Sequence, residues 1–208
     1  YEYGTSIIDV SSSENDFFEV ANIIGPSSGD YYFHRDYKTF GDYLYIVNEM
    51  YGGDVGMQVV DLSPLPENPP MQLNTYSQIA QSHNLWIDPS GLAFIEHQNG
   101  DNIHIADLSN PAFPSFGGSF YNMGQNCHDI YTRDGYGYIS EGFSNRFAIY
   151  DITDISNIQE PIGLIPCEGY AHNAWLNDDG THLITTEETQ DKTIKIWDIT
   201  NMDNILLK

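Results

Sequence analysis

Basic residues are scarce in this chain. Seven lysines and arginines stand against 30 aspartates and glutamates, for a formal charge of −23 at pH 7. Such a surface repels phosphate backbones and anionic lipid, which excludes nucleic-acid binding and disfavours membrane surfaces. It suits solubility, cation binding or a salty medium. Cysteine is nearly absent too. Cys127 and Cys167 are too few for a disulfide framework and lack the spacing of a metal motif. No apolar run approaches the ~18 residues of a transmembrane helix, so no membrane insertion is expected. No segment carries a convincing helical period. The HExxH motif, the Gly-rich phosphate loop and a Ser–His–Asp order are all missing. No signal peptide is visible either: YEYGTSIIDV already reads as a strand, which fits a cytoplasmic chain or a mature exported one.

What is present is repetition. An alternating strand ending in Asp, an aliphatic residue and Ser or Thr recurs as SIIDVS, QVVDLS, HIADLS, AIYDIT and KIWDIT. Its aspartates are Asp9, Asp61, Asp107, Asp151 and Asp198, spaced 52, 46, 44 and 47. The last four copies each follow a histidine: His34, His83, His128 and His172, spaced 49, 45 and 44. Between the two signatures lie two runs of period-two alternation, the mark of strands. Turn sequences separate them, as in DPSG at 88–91, RDG at 133–135 and NDDG at 177–180.

Four short strands in every 40–50 residues or so is the pattern of a β-propeller blade. The fold class expected is therefore all-β, a propeller of four-stranded blades. Repeats are expected at about 34–75, 83–120, 128–166 and 172–208, with a partial blade at 1–25. Four and a half blades do not close a ring evenly. The chain is accordingly expected to be part of a larger propeller, of about six to eight blades.

Each histidine opens the first strand of its blade, the strand that lines a propeller's central channel. Hairpin register places His83 opposite Glu96 and His128 opposite Glu141, with opposed Cβ atoms about 4.5–5.5 Å apart. His172 is expected opposite Thr185 with Glu187 two residues further, and His34 near Val47 with Glu49 two further. A slip of one residue would swap faces. Four histidines at one channel mouth, backed by Glu49, Glu96, Glu141 and Glu187, make a candidate site for a transition metal such as zinc, copper, iron or nickel. The alternative is structural: as in WD-repeat propellers, each histidine bonds within its own blade to an Asp, such as the signature one, or to a backbone carbonyl, and a feature present in every blade is more economically a staple.

The signature aspartates read as turn formers that accept backbone N–H groups where strands end. The loops NEMYGGD, EHQNGD and EETQD offer oxygens that could hold Ca²⁺, but none matches an EF-hand loop. Cys127 and Cys167 occupy nearby levels of adjacent blades. They would form a disulfide if their Cα atoms came within about 7 Å, and are otherwise two buried thiols.

The segments NCHDIYTRDGYGYISEG (126–142), YAHNAWLNDDGTHLITTEE (170–188) and IHIADLSNPAFP (103–114) resemble the LVIVD-repeat proteins and, more narrowly, the choice-of-anchor B family. The resemblance runs from about His34 to Asn201. It implies a secreted or surface-displayed bacterial β-propeller, longer than this chain and held by a C-terminal anchor. It transfers no catalytic mechanism. The family's His and Glu pattern matches His83, His128, His172, Glu96, Glu141 and Glu187. His34 fits less well because RDYKTF follows it.

The function expected from the sequence is a non-catalytic extracellular binding or scaffold module, its partner a protein or glycan at a cell surface. Two alternatives stand beside it. One is a metal-dependent enzyme using the channel-mouth histidines; the other is a structural subunit of a self-assembling surface array or filament.

Overall fold

The computed structural model describes residues 4–11, 17–26, 34–50, 55–96, 102–124 and 126–208. Among them all regular structure is β. Strands β1 (Gly4–Asp9) and β2 (Phe18–Ile24) pair as a two-stranded sheet. Four antiparallel sheets of four strands follow, each a simple meander. The first holds β3 (Arg35–Phe40), β4 (Tyr43–Asn48), β5 (Met57–Asp61) and β6 (Met71–Tyr76). The second holds β7 (Leu85–Ile87), β8 (Leu92–Glu96), β9 (Asn102–Asp107) and β10 (Ser115–Tyr121). The third holds β11 (Asp129–Arg133), β12 (Tyr136–Ser140), β13 (Arg146–Asp151) and β14 (Gly163–Pro166). The fourth holds β15 (Ala171–Leu176), β16 (His182–Glu187), β17 (Lys195–Asp198) and β18 (Leu206–Leu207).

Consecutive sheets pack face to face, and strand alternation divides the side chains between two cores. In β4, Tyr45 and Val47 point into a core shared with the second sheet, while Leu44 and Ile46 pack against Ile23 of the β1–β2 pair. In β8, Ala93 and Ile95 join that first core, while Phe94 faces Ile130 and Ile139 of the third sheet. Ile149 in β13 faces Leu183 of the fourth sheet, and its neighbour Ala148 faces back. Middle strands buried on both faces read as unbroken apolar runs such as LYIV and FAIY. The last strand of each sheet has one side bare: Met71, Leu73, Phe116, Leu164, Leu206 and Leu207 are all exposed.

The first strands lie side by side, β3 with β7, β7 with β11 and β11 with β15. Rings from three different sheets meet there. Trp86 sits edge-on to Tyr131 at 4.9 Å and to Trp175 at 5.2 Å, and Tyr131 stacks on Trp175 at 4.2 Å. Asp129 accepts a hydrogen bond from the Asn173 amide, and Asp36 accepts one from the Leu85 N–H at 3.0 Å.

Each signature aspartate caps its own turn. Oδ1 of Asp9, Asp61 and Asp107 accepts the N–H of Ser11, Ser63 and Ser109, and Asp151 and Asp198 do the same for Thr153 and Thr200. In the RDG turn, Asp134 and Gly135 take φ of 53° and 82°, the left-handed pair of a tight hairpin.

The expected register holds in the third sheet, where Ile130 pairs with Ile139. It fails in the other three. Ile87 pairs with Ala93 rather than Leu92, because Asp88 donates to the Leu92 carbonyl and only PSG turns the chain. Val47 faces Asp36, two residues beyond His34. Thr185 faces Ala174 rather than His172, because the hairpin closes between Leu176 and Leu183; the β15 bulge between Ala171 and Asn173 lies beyond that pair.

Candidate functional site

The four histidines come together. His34, His83 and His128 immediately precede β3 or sit just before β7 and β11, and His172 occupies the β15 bulge. Neighbouring first strands bring their rings into a row. Centroid separations are 3.8 Å for His34–His83, 4.4 Å for His83–His128 and 4.5 Å for His128–His172.

Three of the rings are fixed by acceptors. His34 Nε2 lies 2.8 Å from the His83 carbonyl oxygen, and His128 Nδ1 lies 2.8 Å from the His172 carbonyl oxygen. A carbonyl only accepts, so each of those nitrogens carries a proton. His83 Nδ1 is 2.9 Å from Glu49 Oε1 and donates to it. In a neutral ring the second nitrogen then keeps its lone pair: Nδ1 of His34 and Nε2 of His83 and His128. The bonds to carbonyls run between sheets. Among the described residues none of the four histidines bonds to its own signature aspartate or to a carbonyl of its own sheet.

Burial and the charge of His83 lower the pKa of His34. Burial also opposes the charged form of His83, but the hydrogen bond to Glu49 and the charges of Glu49, Glu96 and Asp36 outweigh it and hold its pKa up. Burial pushes His128 down to about 4.

The carboxylates divide into two roles. Glu49 joins His34 and His83 in a group whose ligand atoms lie within 4.8 Å of one another. A second such group is His128, His172 and Glu188. Glu188, not Glu187, belongs to the site, because the bulge at His172 shifts the register past Thr186. Its Oε2 lies 3.8 Å from His172 Nε2. The EE doublet at 187–188 was the signal in the sequence; only the bulge decides between its members. Glu96 pairs with Asn84 across the strands and accepts the His83 backbone N–H at 2.6 Å. Burial pushes its carboxyl up to about 7.

Glu141 and Glu187 face away from the histidine row. Glu141 is fully buried and ion-paired to Arg146, and it accepts bonds from the Gly124 N–H and the Asn122 amide, each at 3.1 Å. Glu187 pairs with Lys195 and accepts the Gly169 N–H at 2.7 Å. Both tie the segment entering a first strand to the strand behind it. Cys127 and Cys167 are free thiols, each with its Sγ on a carbonyl two residues on, so the disulfide considered from the sequence is not formed. Burial and then the charges of Glu96, Asp129 and Glu141 keep the Cys127 thiol pKa well up. Of the loops considered for Ca²⁺, 51–54 and 97–101 lie outside the described residues, and the third carries the Glu187–Lys195 pair.

A cavity of about 630 Å³ opens on this row. His83, His128, Glu49, Glu96 and Glu188 line it, and so do the rings of Phe143 and Tyr170, which sequence patterning did not single out.

The sequence matches no protein-family profile and no curated protein. The fold does match solved structures. A functionally unknown protein from Desulfotomaculum acetoxidans superposes with a TM-score of 0.70 at 14% identity, over 97% of this chain and 61% of its own. A putative 6-phosphogluconolactonase from Bacteroides fragilis gives 0.70 at 13% identity, over 98% and 62%. The periplasmic gluconolactonase of Pseudomonas aeruginosa gives 0.69 at 11%, over 92% and 59%. This chain thus spans about three fifths of each. At these identities the likeness is one of all-β fold.

Proposed function

We propose that the four sheets are blades of a β-propeller segment, and that the histidine row is a metal-dependent catalytic site at one end of its channel. Side-by-side first strands, rings from three sheets meeting on one axis, and the likeness to lactonase structures support the propeller.

The observation that carries the catalytic reading is the donor set. Each group offers two imidazoles and one carboxylate, three protein ligands that leave coordination positions open, as hydrolytic zinc sites do. Closed structural sites use four. Two of the rings, His34 and His128, are also held by a backbone carbonyl on one nitrogen, the arrangement that orients a histidine for a metal on the other. A bound divalent ion would supply Lewis acidity toward a carbonyl oxygen or a water molecule. Glu96, poised near neutrality in the same cavity, would accept the proton released. Hydrolysis of an ester or lactone is the reaction class this arrangement supports.

Metal analysis tests the reading. Protein equilibrated with zinc and desalted is expected to retain the ion and to hydrolyse simple esters or lactones. The double variant His83→Ala/His128→Ala, which removes a ligand from each group, is expected to lose both properties. Variants that melt earlier while the native protein holds no metal would leave the histidines as inter-sheet staples.

The binding or scaffold reading has one specific support: Glu141 and Glu187, half of the expected acidic set, are structural. An extracellular or cell-surface location rests on the acidic surface and on the resemblance to LVIVD-repeat proteins. Attachment and a protein or glycan partner follow only from that resemblance. No helix among the described residues is long and apolar enough to cross a membrane.

A further inference from the structure

Phe143 is 82% exposed, yet its backbone is pinned. Its N–H donates to the Asn126 side-chain oxygen at 3.0 Å, and the flanking turn is closed by the Ser144 N–H on Glu141 and the Asn145 N–H on Gly142. Gly142 has φ of 29°, and a Cβ there would run into Asn126 and the Tyr170 ring. The turn therefore has little room to move. The Phe143 ring stands edge-on to Tyr170 at 4.7 Å, and Tyr170 stands edge-on to His128 at 5.1 Å. An aromatic step thus leads from solvent to the histidine row, along the wall of the same cavity. The exposed Phe143 ring keeps apolar surface in water on the cavity wall, and a flat ligand ring lying there would remove it.

The charge of the cavity narrows the ligand. Glu49, Glu96 and Glu188 line it, and none of its described lining residues is lysine or arginine. A phosphate or other dianion would find no cation of the protein to pair with.

Resting on the metal-site reading above, we infer that Phe143 and Tyr170 form a specificity platform for a substrate that carries a flat apolar ring next to one metal-seeking polar group and bears no phosphate. The ring would lie on the platform while the polar group reaches the histidines.

Calorimetric titration of the zinc-loaded protein tests this with three probes. Benzohydroxamate carries the ring and the chelating group, acetohydroxamate the chelating group alone, and phenyl phosphate the ring on a dianion. Benzohydroxamate is expected to bind about tenfold tighter than either of the others. Phe143→Ala is expected to erase most of its advantage over acetohydroxamate while leaving zinc stoichiometry and acetohydroxamate binding unchanged. The exposure of Phe143 makes that variant safe for the fold. Zinc-loaded protein that binds the two hydroxamates equally, or a variant that keeps the preference, overturns the platform alone. Tighter phenyl phosphate overturns the charge argument. Protein that takes up no zinc overturns the metal reading and this inference with it.

Discussion

The imidazole of His34 lies flat on that of His83, with centroids 3.8 Å apart and planes within 9° of parallel. Two protonated rings would repel at that distance, so the pair accepts at most one proton near neutrality. Glu49 decides where it goes, raising the pKa of His83 while burial and His83 itself lower that of His34. The neutral partner is then ready to ligate. The same stacking means that a change at either ring disturbs the other.

Two three-ligand groups predict two separable metal sites. Native protein is expected to bind two zinc ions. His34→Ala or Glu49→Ala should weaken one site by at least about 10–100-fold and leave the other, while His172→Ala should do the reverse. Competition with a chromophoric chelator reads both. Loss of both ions on any one substitution would mean that the row, joined through His83 and His128 at 4.4 Å, acts as a single site.

Stability of the metal-free protein should fall as pH rises from about 6.5 to 8. Burial pushes the carboxyls of Asp129 and Glu96 up to about 7 in the folded chain. Both titrate near 4 when unfolded, so between those values the folded state holds these two protons and unfolding releases them; below about 6.5 the lowered His128 and His34 take up protons on unfolding and offset them. Each group then costs up to about 4 kcal/mol once ionised. Urea melts at about pH 6.5 and about pH 8 check the sign. Asp129→Asn should flatten the slope, and stability that climbs with pH would show these carboxyls to be better paired than burial implies.

Arg133 holds the third sheet to the fourth. Its guanidinium donates to the carbonyls of Asn177 and Asp178, at 2.9 and 2.6 Å, in the turn between β15 and β16. Arg133→Ala is expected to lower the melting temperature. Arg133→Lys should recover only part, since one ammonium does not span both carbonyls as the planar fork does. Thermal melts of the two variants make the comparison.

The sixteen strands of the four sheets were legible because they alternate with period two and repeat every 45 residues or so. The histidine row was legible for the same reason: equivalent positions on equivalent strands meet wherever first strands adjoin. The carboxylates were harder. Glu49 was named although the register was off by two: Val47 was expected opposite His34 but faces Asp36, which brings Glu49 to the level of His34. Glu188 was missed because one extra residue at His172 shifts a register that sequence alone cannot see. Glu141 was misread because its position opposite His128 is right and its direction is not. A pairing scheme gives neighbours across a hairpin, and the direction of a side chain depends on what packs behind it. Arg146, at the start of the strand that ends in AIYDIT, and Gly124, ahead of His128, are what turn Glu141 inward.

Glu141 provides the test that separates staple from site. It is the most deeply buried of the expected acidic set, and four groups converge on it: the Arg146 guanidinium, the Asn122 amide, the Gly124 N–H and the Tyr150 hydroxyl at 3.3 Å. Truncation to Ala leaves all four without their acceptor. It is expected to cost about 3–5 kcal/mol, a fall in melting temperature on the order of 10 °C. Gly124→Ala presses on the same cluster from outside, because a Cβ there collides with the Glu141 carboxylate; it is expected to cost about 1–3 kcal/mol. Glu141→Gln keeps the shape, loses the charge and should fall between native and Ala. All three variants are expected to bind zinc like the native protein at temperatures where they are folded, because Glu141 belongs to neither three-ligand group. A Glu141→Gln variant that melts normally yet loses zinc would turn this carboxylate back toward the histidines and undo the division between structural and ligating glutamates.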